Sequence, residues 1–165
     1  MKASAPGTIL DDLEVNAYGD GFRLGGETAS YCPTSVGDLC PPGNATVFTF
    51  GTISVLVPGG QRQYFLPSGK IDYTQAHSLD IPPDAQQGGF GYEKCPDDEF
   101  GRVTVSAFGA DGLMGCPRDD SYDPVYMVYA KVENPEVPTG NVDDCIDFVG
   151  LTTDFTGRVP NAWQY

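Results

Sequence analysis

The sequence predicts an all-β protein, a compact antiparallel β-sandwich or barrel of about eight to ten short strands. Three observations carry that expectation. Short runs alternate apolar and polar residues at the period of a half-buried strand, and none of useful length shows the helical period of 3.6. The 21 Gly and 14 Pro fall between those runs as turn punctuation. Aromatic residues make up 12% of the chain, more than a disordered chain carries. The 165 residues suit one domain, read as 13–165. Residues 1–12 read as a disordered or added segment.

The elements follow in order. Leu13, Val15 and Ala17 alternate with Glu14 and Asn16 as a half-buried strand, and residues 22–24 form its hairpin partner beyond Gly19-Asp20-Gly21. Residues 32–43 are an irregular loop, and 47–50 a short strand with Phe48 and Phe50 on one face. The centre of the chain is 58–78. There the turn signals Pro58-Gly59-Gly60 and Pro67-Ser68-Gly69 bracket the strand 63–66, between the apolar run 53–57 and the alternating 70–74. Gly supplies the positive φ of tight turns and Pro pre-sets the position before it, so this unit predicts a three-stranded meander.

Residues 79–91 are a polar connection, and 90–92 resume extended structure. Residues 102–108 alternate as a strand. Asp111-Gly112 is a two-residue hairpin signal into Leu113-Met114. Residues 125–132 are the longest predicted strand, apolar on both faces and therefore central or between layers. Residues 146–151 are the last strand, and 155–165 a tail packed by Trp163. Gly69-Lys70-Ile71, Gly101-Arg102-Val103 and Gly157-Arg158-Val159 leave a β-trefoil as the alternative.

The 9 basic against 23 acidic residues give a net charge of −14. A polyphosphate or an anionic bilayer is repelled by such a surface, so no nucleic acid and no membrane partner is expected. No apolar stretch approaches ~18 residues. Met1-Lys2-Ala3-Ser4 leads into no signal-peptide core, so the chain reads as a mature secretory protein carrying an added Met1. Asn44-Ala45-Thr46 is an N-glycosylation sequon among turn residues. The five cysteines lack zinc-ribbon spacing. Cys32 and Cys40 are close enough to close a loop by a disulfide. Cys116 and Cys145 flank the long strand and would tie its two connections together. Cys95 is then the odd thiol.

His77 is the only histidine, so any Ser/His/Asp or Cys/His system must use it, and no nucleophile elbow accompanies it. Transition-metal sites with two histidines are excluded. The carboxylates form three clusters, Asp97/Asp98/Glu99, Asp119/Asp120/Asp123 and Asp143/Asp144/Asp147. Two facing carboxyls would serve glycoside hydrolysis. Loop oxygens would serve calcium, with Asp119, Asp120 and Asp123 as candidate ligands, although no cluster has the spacing of a dedicated calcium loop. No other cofactor is expected. Tyr64, Phe65, Tyr73, Tyr126, Tyr129 and Trp163 are available to stack on sugars, while most strand aromatics are core. Tyr64, Tyr73, His77 and Trp163 are the candidate ligand contacts.

Several segments resemble one family. They are Leu24-Gly25-Gly26-Glu27-Thr28-Ala29-Ser30-Tyr31-Cys32-Pro33, residues 57–81 with Tyr73-Thr74-Gln75-Ala76-His77-Ser78, and Leu113-Met114-Gly115-Cys116-Pro117. Val128-Tyr129-Ala130, Gly140-Asn141-Val142-Asp143-Asp144-Cys145 and Ala162-Trp163-Gln164-Tyr165 extend the pattern. Together they resemble small secreted fungal proteins of the IgE-binding or PhiA (phialide-associated) cell-wall type. The resemblance implies fungal origin, secretion and residence in or on the wall, with relatives tied to spore-bearing structures, stress protection and allergenicity. It supports pairing Cys116 with Cys145 and brings no catalytic residue. The expected function is that of a secreted, glycosylated, non-enzymatic wall protein, a monomer with wall polysaccharide as candidate partner. A carboxylate-dependent glycan hydrolase and a calcium-stabilised binding module are the alternatives.

Overall fold

Turn-punctuated alternation becomes strand pairing in two antiparallel sheets. A computed structural model of the chain describes residues 1–165 except 20, 50, 95, 97, 98, 120, 122 and 123. Thirteen strands occur among the described residues. They are β1 (Lys2–Ser4), β2 (Val15–Ala17), β3 (Phe22–Leu24), β4 (Phe48–Thr49), β5 (Thr52–Ile53), β6 (Gln61–Phe65) and β7 (Ile71–Tyr73). Then come β8 (Gln86–Gln87), β9 (Phe90–Lys94), β10 (Gly101–Val105), β11 (Leu113–Pro117), β12 (Tyr126–Ala130) and β13 (Ile146–Thr152). Helical structure among the described residues is limited to three 3₁₀ turns, Thr34–Leu39, Ala107–Gly109 and Val142–Asp144.

The larger sheet runs β2-β3-β12-β11-β13-β10-β9, with β1 added on β13. It curls into a half-barrel, and the smaller sheet, β4-β5-β6-β7 with β8 on β6, completes a β-sandwich. The all-β expectation holds. The three proposed repeats are not equivalent, which removes the trefoil alternative. Gly69 sits in a turn with φ 86°, Gly101 opens β10, and residues 157–159 lie outside every strand.

The meander is present as β5, β6 and β7, extended by β4. The apolar run 53–57 leaves the sheet after Ile53, and Val55 instead bridges Ala162 in parallel. The loop at Gly69 locks the meander to the large sheet, because Ala130 N donates to Gly69 O at 2.7 Å. A Cβ on Gly69 would stand 2.6 Å from the Ala130 carbonyl oxygen, so only glycine allows both the left-handed turn and the close approach.

Phe22, Leu24, Ile53, Phe65, Ile71, Tyr73, Val128 and Phe148 meet in the core between the sheets. Strand β12 is apolar on both faces, as predicted for a central strand. Val128 and Ala130 enter this core, while Met127 and Tyr129 join Met114, Cys116 and Val137 in a second cluster on the sheet's other side.

Several expectations are corrected. Residues 1–12 are not disordered: β1 pairs with β13 from Lys2↔Leu151 to Ser4↔Val149, and Leu10 is 0% exposed. Local composition gives no strong signal there, because the pairing partners lie far along the chain. Strand β2 is not half-exposed, since all three of its residues are buried. Asn16 donates to Gly26 O at 2.9 Å and accepts from the Thr28 hydroxyl at 2.8 Å, which satisfies its buried amide.

The longest strand is β13 rather than β12, because β1 and β10 both pair with its Gly150 and Leu151 and so extend it from opposite edges. Asp111-Gly112 makes no hairpin with β10. Asp111 N donates to Lys131 O and Lys131 N to Gly112 O, which prolongs the β11–β12 pairing instead. The polar connection 79–91 contains β8, whose glutamines stay exposed. Residues 107–109 turn rather than continue β10.

Candidate functional site

The residues named from sequence as ligand contacts separate in space. Tyr64 on β6, Tyr73 on β7 and His77 in the following turn line one open groove together with Gln61, Asp72, Gln75, Gln164 and Tyr165. Meander pairing produces this. Tyr64 faces Asp72 and Gln63 faces Tyr73 in register, and the chain's last residues are held alongside by bonds from Gln61 to Tyr165. Trp163 does not line the groove. Its main-chain oxygen accepts from Val57 N, and its indole Nε1 is buried without a hydrogen-bond partner among the described residues.

The tyrosines are not stacking platforms. Tyr64 is 9% exposed and Tyr73 6%, and the Tyr73 ring packs 5.3 Å from Phe22 with its hydroxyl donating to Gly19 O at 3.3 Å. Both are almost wholly buried, so neither offers an open ring face to the groove. His77 is exposed in left-handed backbone, φ 64°, in a turn where Ser78 N donates to Gln75 O at 3.1 Å. The Ser78 hydroxyl accepts from Asp80 N at 3.1 Å, the ordinary local bond of a serine turn.

Asp72 is the one side-chain carboxylate among the described residues lining the groove. It is buried and paired to Lys70 at 3.1 Å, and its other oxygen accepts from Tyr73 N at 2.7 Å. Polar edges therefore dominate: an ion-paired carboxylate, side-chain amides, a hydroxyl and an imidazole. Such groups hydrogen-bond sugar hydroxyls or other polar ligands. Gln61, Asp72 and Gln164 were missed from the sequence. The available signal was a polar residue at an inward strand position, Gln61 and Gln63 on β6.

The acidic clusters do not converge among the described residues, and no group of three or more His, Cys, Asp or Glu is placed there to hold a metal. Asp119 accepts from Ser121 N at 3.0 Å in a local turn, and its hydrogen bonds to Ser121 hold its carboxyl below the usual range. Asp120 and Asp123 lie outside the described residues, as do Cys95, Asp97, Asp98 and Phe50. Asp147 pairs with Lys131, and Asp144 accepts from Asn141 in the turn before β13.

Cys32 and Cys40 are bonded, with Cα atoms 6.1 Å apart. Cys116 and Cys145 are bonded as well, across 29 residues. The second bond joins neighbouring strands rather than the two connections of β12. Gly115 pairs with Ile146, so Cys116 and Cys145 stand one step further along the same pair of strands. Asn44 is exposed, and its Oδ1 accepts from Asn161 Nδ2 at 3.2 Å.

Fold and linkages together define a disulfide-bonded, helix-poor β-sandwich, a build suited to an oxidising extracellular setting. The family model of the PhiA-like secreted proteins matches residues 1–165, and the chain belongs to that family. It is 48% identical over 157 residues to an uncharacterized secreted protein of Arthroderma benhamiae, an alignment covering 94% of this chain and 79% of that protein. No solved structure matches it. The protein is thus secreted and extracellular, and among the described residues no helix is long and apolar enough to cross a membrane.

Proposed function

We propose that the protein is a non-catalytic, glycosylated component of the fungal cell wall that binds wall polysaccharide along the Asp72–His77 groove. The observation that carries this reading is the groove's chemistry. It combines amide, hydroxyl and imidazole groups with a single described side-chain carboxylate, ion-paired with Lys70. Most enzymes that hydrolyse glycosidic bonds use two carboxyls about 5 to 10 Å apart, one of them able to donate a proton. Binding needs only complementary donors and acceptors. The burial of both tyrosines favours hydrogen bonding to a sugar over stacking on its face.

Asn44 is the glycan acceptor in this proposal. Its Oδ1 is engaged by Asn161, and a glycan would attach through the Nδ2 that points from the same exposed residue.

The test is retention of the purified protein on insoluble fungal β-glucan and chitin, with release of reducing sugar assayed in parallel. Retention that falls at least about fivefold in Gln75→Ala/Gln164→Ala, with no sugar released, supports the proposal. Absence of retention, or release of sugar, overturns it.

A further inference from the structure

A second concavity lies on another part of the sandwich and has different chemistry. It is a cleft of about 220 Å³ between the small sheet and the edge of the large one. Phe48 of β4, Phe90 and Tyr92 of β9 and Val103 of β10 supply its walls. Phe48, Phe90 and Val103 pack against the main core, so the cleft is a continuation of the core that opens to the surface. Tyr92 is held across β10, because its ring occupies the space where a Cβ on Gly101 would stand.

Gln63 lines the same cleft from β6. It is 3% exposed, and its Nε2 is buried without a hydrogen-bond partner among the described residues. A buried amide left unpaired costs about 1–3 kcal/mol. Its neighbours on β6 differ. Gln61 makes three side-chain hydrogen bonds, and Arg62 N donates to the Thr74 hydroxyl. The Gln terminal torsion is soft, so the amide can present either its donor or its acceptor edge to the cleft at little cost. Asp154 stands among the lining residues, on a chain of net charge −14.

Size, walls and polar group fix the class of occupant. An apolar cavity of about 150 Å³ takes benzene, so 220 Å³ takes one ring with a short substituent. Thr49, Thr152 and Thr153 also line the cleft, but its exposed wall is mainly apolar, so most hydroxyls of a sugar would lose water without replacement bonds. The one charged side chain among the described lining residues is the carboxylate of Asp154, which disfavours an anion beside it. We propose that this cleft is a binding site for a small, uncharged aromatic molecule bearing a carbonyl, with the ring between Phe48, Phe90 and Val103 and the carbonyl oxygen accepting from the Gln63 amide. The site is separate from the polar groove and does not depend on the polysaccharide reading.

The test is calorimetric titration of the full chain with three probes of one shape: acetophenone, benzoate and ethylbenzene. Acetophenone is expected to bind saturably and about tenfold more tightly than either of the others. Gln63→Leu should abolish the preference over ethylbenzene while leaving ethylbenzene binding in place. Val103→Phe should fill the cleft and remove binding of both neutral probes. Should that variant not fold, NMR of the native chain decides: acetophenone must shift the Val103 methyls and leave those of Val128 unmoved. Lack of saturable acetophenone binding, equal affinity for benzoate, or shifts elsewhere would overturn the proposal.

Discussion

Gln61 and Tyr165 bond to each other twice: the Gln61 amide donates to the Tyr165 main-chain oxygen at 2.9 Å and accepts from Tyr165 N at 2.8 Å. The same Nε2 also donates to Thr74 O at 2.9 Å. A glutamine 104 residues away in sequence therefore fastens the last residues of the chain to the meander and forms the wall of the polar groove.

Gln61→Ala removes all three bonds and leaves Thr74 O and Tyr165 N without partners in a site 1% exposed. The expected loss is about 3 kcal/mol, and a fall in Tm of roughly 6 to 12 °C for a chain of this length. Thermal unfolding by circular dichroism checks it, and a change within about 2 °C would show that the chain's last residues contribute little to stability.

Tyr165 gives the fold an alkaline limit. Burial raises its phenol above the ordinary value of 10.0, while its hydroxyl donates to Ala45 O at 2.7 Å and accepts from Val47 N at 3.2 Å. A raised folded value means the unfolded chain gives up this proton first. The contribution is therefore complete below the ordinary value and is lost as pH rises through the higher folded one. In urea unfolding between pH 8 and 12, the stability gap between the native chain and Tyr165→Phe should narrow above pH 10. A gap that stays constant would contradict this.

The two disulfides should open in sequence under reducing agent. Cys116 is fully buried in the second core cluster, whereas Cys32 and Cys40 are half-buried in a surface loop. Stepwise thiol titration followed by alkylation and peptide mass spectrometry should find Cys32–Cys40 modified first. Removing Cys116–Cys145 should also cost about 1 kcal/mol more, because it closes the longer loop.

Leu10 packs over Gly115, where a Cβ would come 2.6 Å from a Leu10 methyl. Leu10→Ala should cost about 2 to 5 kcal/mol if the first twelve residues belong to the folded core. Wild-type stability in that variant would return them to the status of a loose segment.

His77→Asn separates a backbone role from a binding role. Asn tolerates left-handed backbone well, so stability should be kept within about 0.5 kcal/mol. Retention on polysaccharide should nonetheless fall, since the imidazole is lost from the groove. Retention unchanged in the folded variant would remove His77 from the site.

Much of the small sheet was legible locally. Pro67-Ser68-Gly69 dictates a turn, and alternation on either side dictates its strands, so β6 and β7 needed no distant information. The double-sided apolar run around Val128 and Met127 likewise announced a strand buried on both faces. The aromatic site residues were legible only as types. As sequence, Tyr64 and Tyr73 read as rings offered to a ligand, yet both are buried and Tyr73 packs in the core, because which face of a strand is inward depends on the sheet packed against it.

By itself, then, the sequence determined an oxidised, acidic, turn-rich β protein, because cysteine spacing, charge and local φ preferences act over a few residues. Tertiary structure alone decided that Lys2–Ser4 join the large sheet, that Leu10 joins the core, and that Asp111-Gly112 prolongs β11 rather than closing a hairpin. It also decided that Gln61 bonds to the chain's last residue while Gln63, two positions on, is left unpaired beside an apolar cleft. Each depends on pairing between segments tens of residues apart, where the free energy of burying one face against another outweighs any local preference.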